Sequence, residues 1–236
     1  MKYKNLTLIG TSHIAKQSMD DVEKSIINLK PDIVCLELDK KRLYALVHNV
    51  KGNKFSLSDI RKVGLKGYLF SIIGAYAEKK LGQYVGVSPG SEMLKAIGLA
   101  KKNKIKIMVI DQDIEKTLKR FSKEFTWKEK FRLLSDIIKA VVFRKKEIDF
   151  DLRKVPNKKV IDKILNKVKK RYPGLYKVLI EERNEFMASK LAKIISVNDD
   201  KKVLGIIGAG HEEDLINLIK KKKVDVVSYS YTYSYS

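Results

Sequence analysis

The sequence predicts an α/β fold in which helices cover both faces of a central, mostly parallel β-sheet. Five short runs of β-branched and other apolar residues are spread along the 236 residues. Each run is apolar at nearly every position, which is typical of a strand that is buried on both faces. An amphipathic helical pattern lies between the first two runs, and this order of elements is that of a parallel βαβ unit.

The predicted elements follow from these patterns and from helix start and stop signals. The strands cover residues 6–9, 33–38, 105–110, 203–207 and 224–227. Ser18 and Pro31 bound the first helix, Asp39 is predicted to cap the second, and Thr126 with Glu129 forms a capping box. The predicted helices cover residues 19–29, 39–50, 58–80, 91–103, 126–145, 157–170 and 174–195.

One domain is predicted over residues 1–236, with a large helical insertion at 113–200 that precedes the last strands. No strand pattern occurs inside that insertion, whereas helical signals recur throughout it. Residues 228–236 alternate serine or threonine with tyrosine, a pattern that fits either an edge strand or a frayed end.

Composition excludes several classes of protein. Hydrophobic residues make up 44% of the chain, which excludes intrinsic disorder as its main state. Cys35 is the single cysteine, so an intramolecular disulfide and a cysteine-based zinc site are excluded. Residues 67–77 form an uncharged, largely apolar stretch in the middle of the chain, but it is shorter than the roughly 18 residues of a membrane span. We therefore expect a cytoplasmic protein without a transmembrane segment.

The net charge of +22 is concentrated in residues 119–177, which hold 20 basic and 7 acidic residues. Such a region attracts polyanions, and nucleic acid is one candidate partner. The alternative is a set of solvated, lysine-rich helix faces, which we favour because no nucleic-acid recognition motif accompanies the charge. Residues 67–77 could form a homodimer contact, although burial inside the monomer is the preferred interpretation.

Two histidines occupy the same local setting. His13 ends the motif Gly-Thr-Ser-His at 10–13, and His211 ends Gly-Ala-Gly-His at 208–211. Each Gly-x-x-His motif follows a predicted strand and precedes a helix. Because ligands bind at the carboxyl ends of strands in open α/β sheets, both imidazoles are expected to converge there. His48 lies in a helical pattern and receives no role.

Carboxylates also follow the predicted strands. Glu37 ends the second strand, and Asp111 directly follows the third. Two neutral imidazoles and one or two carboxylates are a sufficient ligand set for a divalent transition metal such as Mn, Co or Zn. Such an ion activates water for hydrolysis. The alternative is that the histidines are hydrogen-bonded loop residues and that the acids, Asp111 especially, cap helices.

Three further residues are candidates for catalysis. Arg183 lies within the apolar stripe of the helix at 174–195, where it either pairs with a buried anion or extends past small neighbours to solvent. Glu182 lies on the flank of that stripe. Glu92 lies in the first turn of the helix at 91–103, where it serves either as a cap residue or as a general base or third ligand.

Phosphate-binding loops, dinucleotide fingerprints, serine-hydrolase elbows and zincin helices are absent from the sequence. The motifs that are present resemble the TraB family, which includes the pheromone-shutdown proteins and is similar to the TIKI metalloproteases. They are Gly-Thr-Ser-His at 10–13, Lys-Pro-Asp at 30–32, Glu-Leu-Asp at 37–39, Pro-Gly-Ser-Glu-Met at 89–93, Asp-Gln-Asp-Ile at 111–114, Glu-Arg-Asn at 182–184 and Gly-Ala-Gly-His at 208–211.

The resemblance implies a metal-dependent hydrolase that acts on peptide bonds, with the two Gly-x-x-His histidines and a glutamate as its signature. When the family's signature residues are matched to this sequence by position, the first candidates are His13, His211 and Glu37. Glu92, Asp111 and Arg183 are secondary candidates. Two positions depart from the family pattern, since Gln112 and Asn184 stand where the family has arginine and aspartate.

The predicted function is therefore a metallopeptidase-like hydrolysis of a peptide or protein substrate. In this hypothesis His13, His211 and Glu37 hold or orient the ion, Arg183 stabilises the oxyanion, and Glu92 or Glu182 transfers the proton. One alternative is a non-catalytic regulator that binds a peptide or signalling factor in the same crevice. Another is a basic, nucleic-acid-associated protein.

Overall fold

The computed structural model of the chain describes residues 1–12, 16–48, 61, 68, 90–143 and 155–222. It confirms the α/β class. The sheet has five strands in the order β1-β2-β5-β3-β4, and all neighbours are parallel except β1 and β2. The strands are Lys2–Tyr3, Leu6–Thr11, Ile33–Leu36, Lys106–Val109 and Val203–Gly208, numbered β1 to β5 in chain order.

Of the described helices, one lies between β2 and β3, two between β3 and β4, five between β4 and β5, and one after β5. They are α1 (Lys16–Leu29), α2 (Lys40–Val47), α3 (Ser91–Lys102), α4 (Ile114–Glu124), α5 (Trp127–Phe143), α6 (Lys158–Arg171), α7 (Pro173–Tyr176), α8 (Glu182–Val197) and α9 (Glu212–Lys221). A five-residue π-helical turn, Lys177–Glu181, joins α7 to α8.

Alternate residues of each central strand enter two separate cores, because successive side chains of a strand point to opposite faces. In β3, Ile33 and Cys35 pack with residues of α8 and α9, whereas Val34 and Leu36 pack with residues of α1 and α3. Burial raises the pKa of the Cys35 thiol to about 12, so this side chain is a neutral component of the core. Both faces of the sheet are covered, as the continuous apolar runs predicted.

Strand β5 lies at the centre of the sheet, and its Gly205 admits no side chain. A β-carbon at Gly205 would overlap the side chain of Leu8 on the neighbouring strand. We expect Gly205→Ala to lower the free energy of unfolding by about 1–3 kcal/mol, as overpacked cores do. Gly98→Ala is the matched control, since a β-carbon on that exposed face of α3 meets no atom within 4 Å. Equal urea midpoints for Gly205→Ala and the parent chain would contradict this packing.

Two predicted helix caps are confirmed, at Asp39 and at Thr126, and a third cap is observed at Asn157. The Asp39 carboxylate accepts hydrogen bonds from the backbone N–H groups of Lys41 and Arg42. Glu129 Oε2 accepts from Thr126 N at 2.9 Å, and Thr126 Oγ1 accepts from Glu129 N at 3.3 Å, which completes the capping box. Asn157 caps α6 through Val160 N at 3.0 Å.

One local expectation was wrong, and two others were incomplete. Ser18 is not the first cap residue, because α1 begins at Lys16 and the buried Ser18 hydroxyl bonds the backbone of Ser12. Helix α4, whose N-cap is Asp113, was not predicted. The helix predicted over 174–195 is continuous but includes the π-helical turn, where the backbone adds a residue to one turn.

Several predicted features lie outside the described residues. They are the strand at 224–227, the serine and tyrosine segment at 228–236, and the helix at 58–80 apart from Arg61 and Tyr68. The predicted dimer contact at 67–77 belongs to the same stretch. Across the described ranges, no helix has both the length and the apolar character needed to cross a membrane.

Part of the basic charge of residues 119–177 is paired with nearby carboxylates. Lys158 Nζ lies 2.8 Å from a Glu213 carboxylate oxygen, and Lys169 Nζ lies 3.0 Å from Glu181. Arg171 pairs with Asp136. These ion pairs connect α6 to neighbouring helices. These three basic side chains therefore have acidic partners within the protein, whether or not a polyanion binds.

Candidate functional site

The carboxyl ends of the parallel strands bring together residues from three distant parts of the sequence. Glu37 follows β3, Asp111 follows β4, and β5 leads through Gly208 into His211. Because β5 lies between β2 and β3, its exit loop is adjacent to both. A cleft of about 320 Å³ opens at this edge, and Glu37, Arg183 and His211 are among the residues that line it.

Glu37 is held from two sides. Its side chain is 3% exposed. Its Oε2 accepts a hydrogen bond from the backbone N–H of Gly208 at 2.5 Å, and its Oε1 accepts from Arg183 Nη2. A β-carbon on Gly208 would stand 3.4 Å from Glu37 Oε2, so the glycine permits this close approach. A charged carboxylate is thereby stabilised at the floor of the cleft.

Arg183 is the central cation of the site, with a side chain that is 16% exposed. Its Nε donates to Asp111 Oδ1 at 3.1 Å, and its Nη2 donates to Asp111 Oδ2 at 2.8 Å. Burial opposes its charge, but the Glu37 and Asp111 carboxylates outweigh that effect and raise the pKa of the guanidinium above its ordinary value. The buried role of Arg183 is therefore confirmed over the solvent-exposed alternative.

Asp111 binds two guanidinium groups. Besides Arg183, its Oδ2 accepts from Arg42 Nη2, and Arg42 in turn donates from Nε to Asp39 Oδ2 at 2.8 Å. The alternative that Asp111 caps a helix is contradicted, because Asp113 caps α4 through Glu115 N at 2.7 Å. Asp111 instead anchors Arg183 beneath the cleft.

His211 is buried directly before α9, and both ring nitrogens have defined neighbours. Its Nδ1 lies 2.5 Å from Asn184 Oδ1. Its Nε2 lies 3.5 Å from Glu37 Oε1 and 3.5 Å from Arg183 Nη1. The imidazole thus presents Nε2 to the carboxylate and guanidinium of the cleft while Nδ1 is held by α8.

The opposite wall of the cleft comes from the helical insertion. Pro156, just before α6, and Ile161 of α6 line this wall. A β-carbon built on Gly210 would lie 3.8 Å from the side chain of Leu165, also of α6. Ser12, which immediately precedes His13 in the chain, also lines the cleft. The site therefore combines a charged floor with a partly apolar wall.

Two predicted catalytic glutamates lie elsewhere. Glu182 is paired with Arg120, whose Nη2 lies 2.5 Å from Glu182 Oε1. Glu92 is buried in the first turn of α3. Among the described residues that line the cleft, neither glutamate is present.

His13 lies outside the described residues, so the convergence of two imidazoles stays a prediction. Within the part of the chain that the structure describes, no three His, Cys, Asp or Glu side chains are grouped closely enough to hold a metal ion. His211 and Glu37 supply two donors of suitable chemistry. His48 is the C-cap residue of α2, and its ring lies tilted against the Tyr44 ring with 4.3 Å between the ring centroids.

The sequence analysis did not assign roles to Asn184, Arg42 and the apolar wall. Asn184 is 1% exposed, yet a helical wheel over 174–195 places it away from the apolar stripe. The one sequence feature that could have indicated a role for Asn184 was its position beside Arg183 in the Glu-Arg-Asn motif. The apolar wall residues gave no local signal, because their role depends on how α6 packs over the sheet edge.

Comparisons with known proteins extend over nearly the whole chain. The model of the TraB/PrgY/gumN family matches residues 2–227. An uncharacterized protein of Methanocaldococcus jannaschii is 36% identical over 221 residues, which cover 92% of this chain and 54% of that protein. TraB domain-containing proteins of Homo sapiens and Mus musculus are 24% and 23% identical, over 86% of this chain and 60% of each relative. The chain thus spans little more than half the length of these relatives.

Proposed function

The chain belongs to the TraB/PrgY/gumN family, and on that premise we propose that it is a metal-dependent hydrolase of peptide or other amide bonds. The observation that carries the proposal is the approach of His211 Nε2 to Glu37 Oε1, at 3.5 Å, on the floor of the cleft. An imidazole nitrogen beside a carboxylate at the carboxyl edge of a parallel sheet is a suitable start of a metal site.

The donor chemistry fits a divalent transition metal. His211 and Glu37 would supply one nitrogen and one carboxylate donor, and His13 would supply the second imidazole. Support for His13 comes from Ser12, the preceding residue, which lines the same cleft. When bound, an ion such as Mn, Co or Zn would act as a Lewis acid and make water a better nucleophile at neutral pH.

The contacts of Glu37 favour a ligand or orienting role. Arg183 and the Gly208 N–H stabilise its charged form, which works against its use as a proton acceptor. Asp111 is already engaged by Arg42 and Arg183, so we assign it to positioning Arg183 and not to the ion. Glu92 and Glu182 receive no proton-transfer role in this proposal, since neither lines the described cleft.

Arg183 would stabilise the negative charge that develops on the carbonyl oxygen of the substrate. Its Nη1 donates to Leu179 O at 3.2 Å and lies beside His211, while Asp111 fixes the opposite side of the guanidinium. A donor held rigidly before the reaction stabilises developing charge without reorganisation. Ile161 and Pro156 would contact an apolar part of the substrate on the facing wall.

Metal content of the purified protein tests the proposal. After incubation with Mn, Co or Zn and dialysis, we expect stoichiometric metal by elemental analysis in the parent chain, and loss of it in the His13→Ala/His211→Ala double variant. His48→Ala is the matched control and should retain the metal. The same metal content in the double variant and the parent would overturn the site.

Cleavage of a mixed peptide library, followed by mass spectrometry, separates hydrolysis from binding. The proposal expects products that disappear with a chelator and return when the metal is restored. Peptide binding that survives chelation, without any cleavage products, would instead support a non-catalytic regulator that uses the same crevice.

A further inference from the structure

We infer that Asn184 and Asp214 hold the His211 ring with its proton on Nδ1, so that Nε2 presents a lone pair to the cleft. What that lone pair does there rests on the proposed function. The position of the proton itself is a property of the folded chain, and it can be measured without any substrate or metal.

Asp214 sets the orientation of the Asn184 amide. Asn184 Nδ2 lies 3.3 Å from Asp214 Oδ2. An ionised carboxylate only accepts hydrogen bonds, whereas an amide has a donating nitrogen and an accepting oxygen. The amide nitrogen therefore faces Asp214, because the reversed amide would set two acceptors against each other. The amide oxygen is consequently turned toward His211.

The oriented amide then decides which ring nitrogen carries the proton. Asn184 Oδ1 lies 2.5 Å from His211 Nδ1, in a buried setting. Since that oxygen only accepts, Nδ1 must donate and therefore carries hydrogen. The alternative tautomer would leave this buried oxygen facing a nitrogen without hydrogen, so it is disfavoured.

Of the two contacts on the far side of the ring, the one with Arg183 agrees with this assignment and the one with Glu37 opposes it. Arg183 Nη1 lies 3.5 Å from His211 Nε2, and a guanidinium has no acceptor to offer an N–H group. Glu37 Oε1, also 3.5 Å from Nε2, favours a proton there. That oxygen already accepts from Arg183 Nη2, which compensates its charge, so the shorter contact at Nδ1 decides the tautomer.

Asn184 and Asp214 are thus positioning residues that act through His211. Asn184 comes from α8, whereas Asp214 lies in the first turn of α9, three residues after His211. The packing of α8 on α9 therefore sets the direction of the Nε2 lone pair. Loss of such a partner behind a ligating or catalytic histidine lowers metal affinity or activity by about 10–100-fold in comparable sites.

The tautomer can be read by NMR of the full chain labelled with ¹⁵N-histidine, which has only three imidazoles. Long-range ¹H–¹⁵N correlation spectra would be recorded above about pH 8, where free imidazole is neutral. We expect the Nδ1–H pattern for His211 in the parent chain, and its replacement by the Nε2–H or a mixed pattern in Asn184→Leu. Asn184→Asp keeps an acceptor and should keep the Nδ1–H pattern.

Asp214→Ala changes an exposed side chain and gives a second test if Asn184→Leu does not fold. It should weaken the Nδ1–H pattern, while the neighbouring Glu213→Ala should leave it unchanged. An Nε2–H pattern for His211 in the parent chain, or identical patterns in Asp214→Ala and Glu213→Ala, would overturn the inference. If the Nδ1–H pattern is present in a protein that binds no metal and cleaves no peptide, the inference stands and the proposed hydrolase function fails.

Discussion

Arg183→Met is expected to lower the free energy of unfolding by about 3–5 kcal/mol, the usual cost of removing one partner from a buried ion pair. Methionine keeps the length of the side chain but removes the guanidinium that pairs with the buried Glu37 carboxylate. Asp111 retains Arg42, so most of the effect should come from Glu37. Urea or thermal unfolding followed by circular dichroism measures the change.

Two further variants make this prediction specific. Arg120→Met removes an arginine from a more exposed pair with Glu182 and should cost no more than about 1 kcal/mol. Adding Glu37→Gln to Arg183→Met removes the carboxylate charge that lost the Arg183 guanidinium and should restore part of the lost stability. The buried ion pair would be refuted if Arg183→Met were no less stable than Arg120→Met, or if Glu37→Gln reduced stability further.

Under the proposed function, His211→Ala is expected to lower peptide hydrolysis by at least about 100-fold, because losing a metal donor should cost more than the roughly 10–100-fold effect of losing a residue that only positions such a donor. The substitution removes the nitrogen that faces Glu37 and also leaves Asn184 Oδ1 without its donor. Initial rates on a peptide found in the cleavage screen, at saturating metal, measure the effect.

The matched control is His48→Ala, which removes the other described imidazole from a position at the end of α2. It should hydrolyse the peptide at the rate of the parent chain. If His211→Ala also retains the parent rate while remaining folded, the reaction does not take place at this edge of the sheet.

Helix caps and buried strands were predictable from sequence because they depend on neighbouring residues. Asp39 caps α2 through backbone groups two and three residues away, and the capping box of Thr126 and Glu129 closes over three residues. In β3 the continuous apolar run reflects burial on both faces. Such signals require no knowledge of distant contacts.

The partners of the charged residues were not predictable in the same way. The position of Arg183 on the helical stripe indicated that it needed an anion, but Glu37 and Asp111 lie 146 and 72 residues away along the chain. Likewise, a wheel of regular helical turns could not anticipate the π-helical turn at Lys177–Glu181 or the burial of Asn184. These features depend on how α8 packs against the sheet and α9.

The amino-acid sequence alone determined the α/β class, the order of the central strands along the chain and the family motifs. These features depend on apolar patterns and short-range hydrogen bonds between residues that are close together in the sequence. Only the tertiary structure decided that Arg183 joins Glu37 to Asp111 and that Asn184 meets His211. The physical reason is that a buried charge or polar atom must find a partner in three dimensions, and the chain supplies that partner from whichever segment folding brings within about 3 Å.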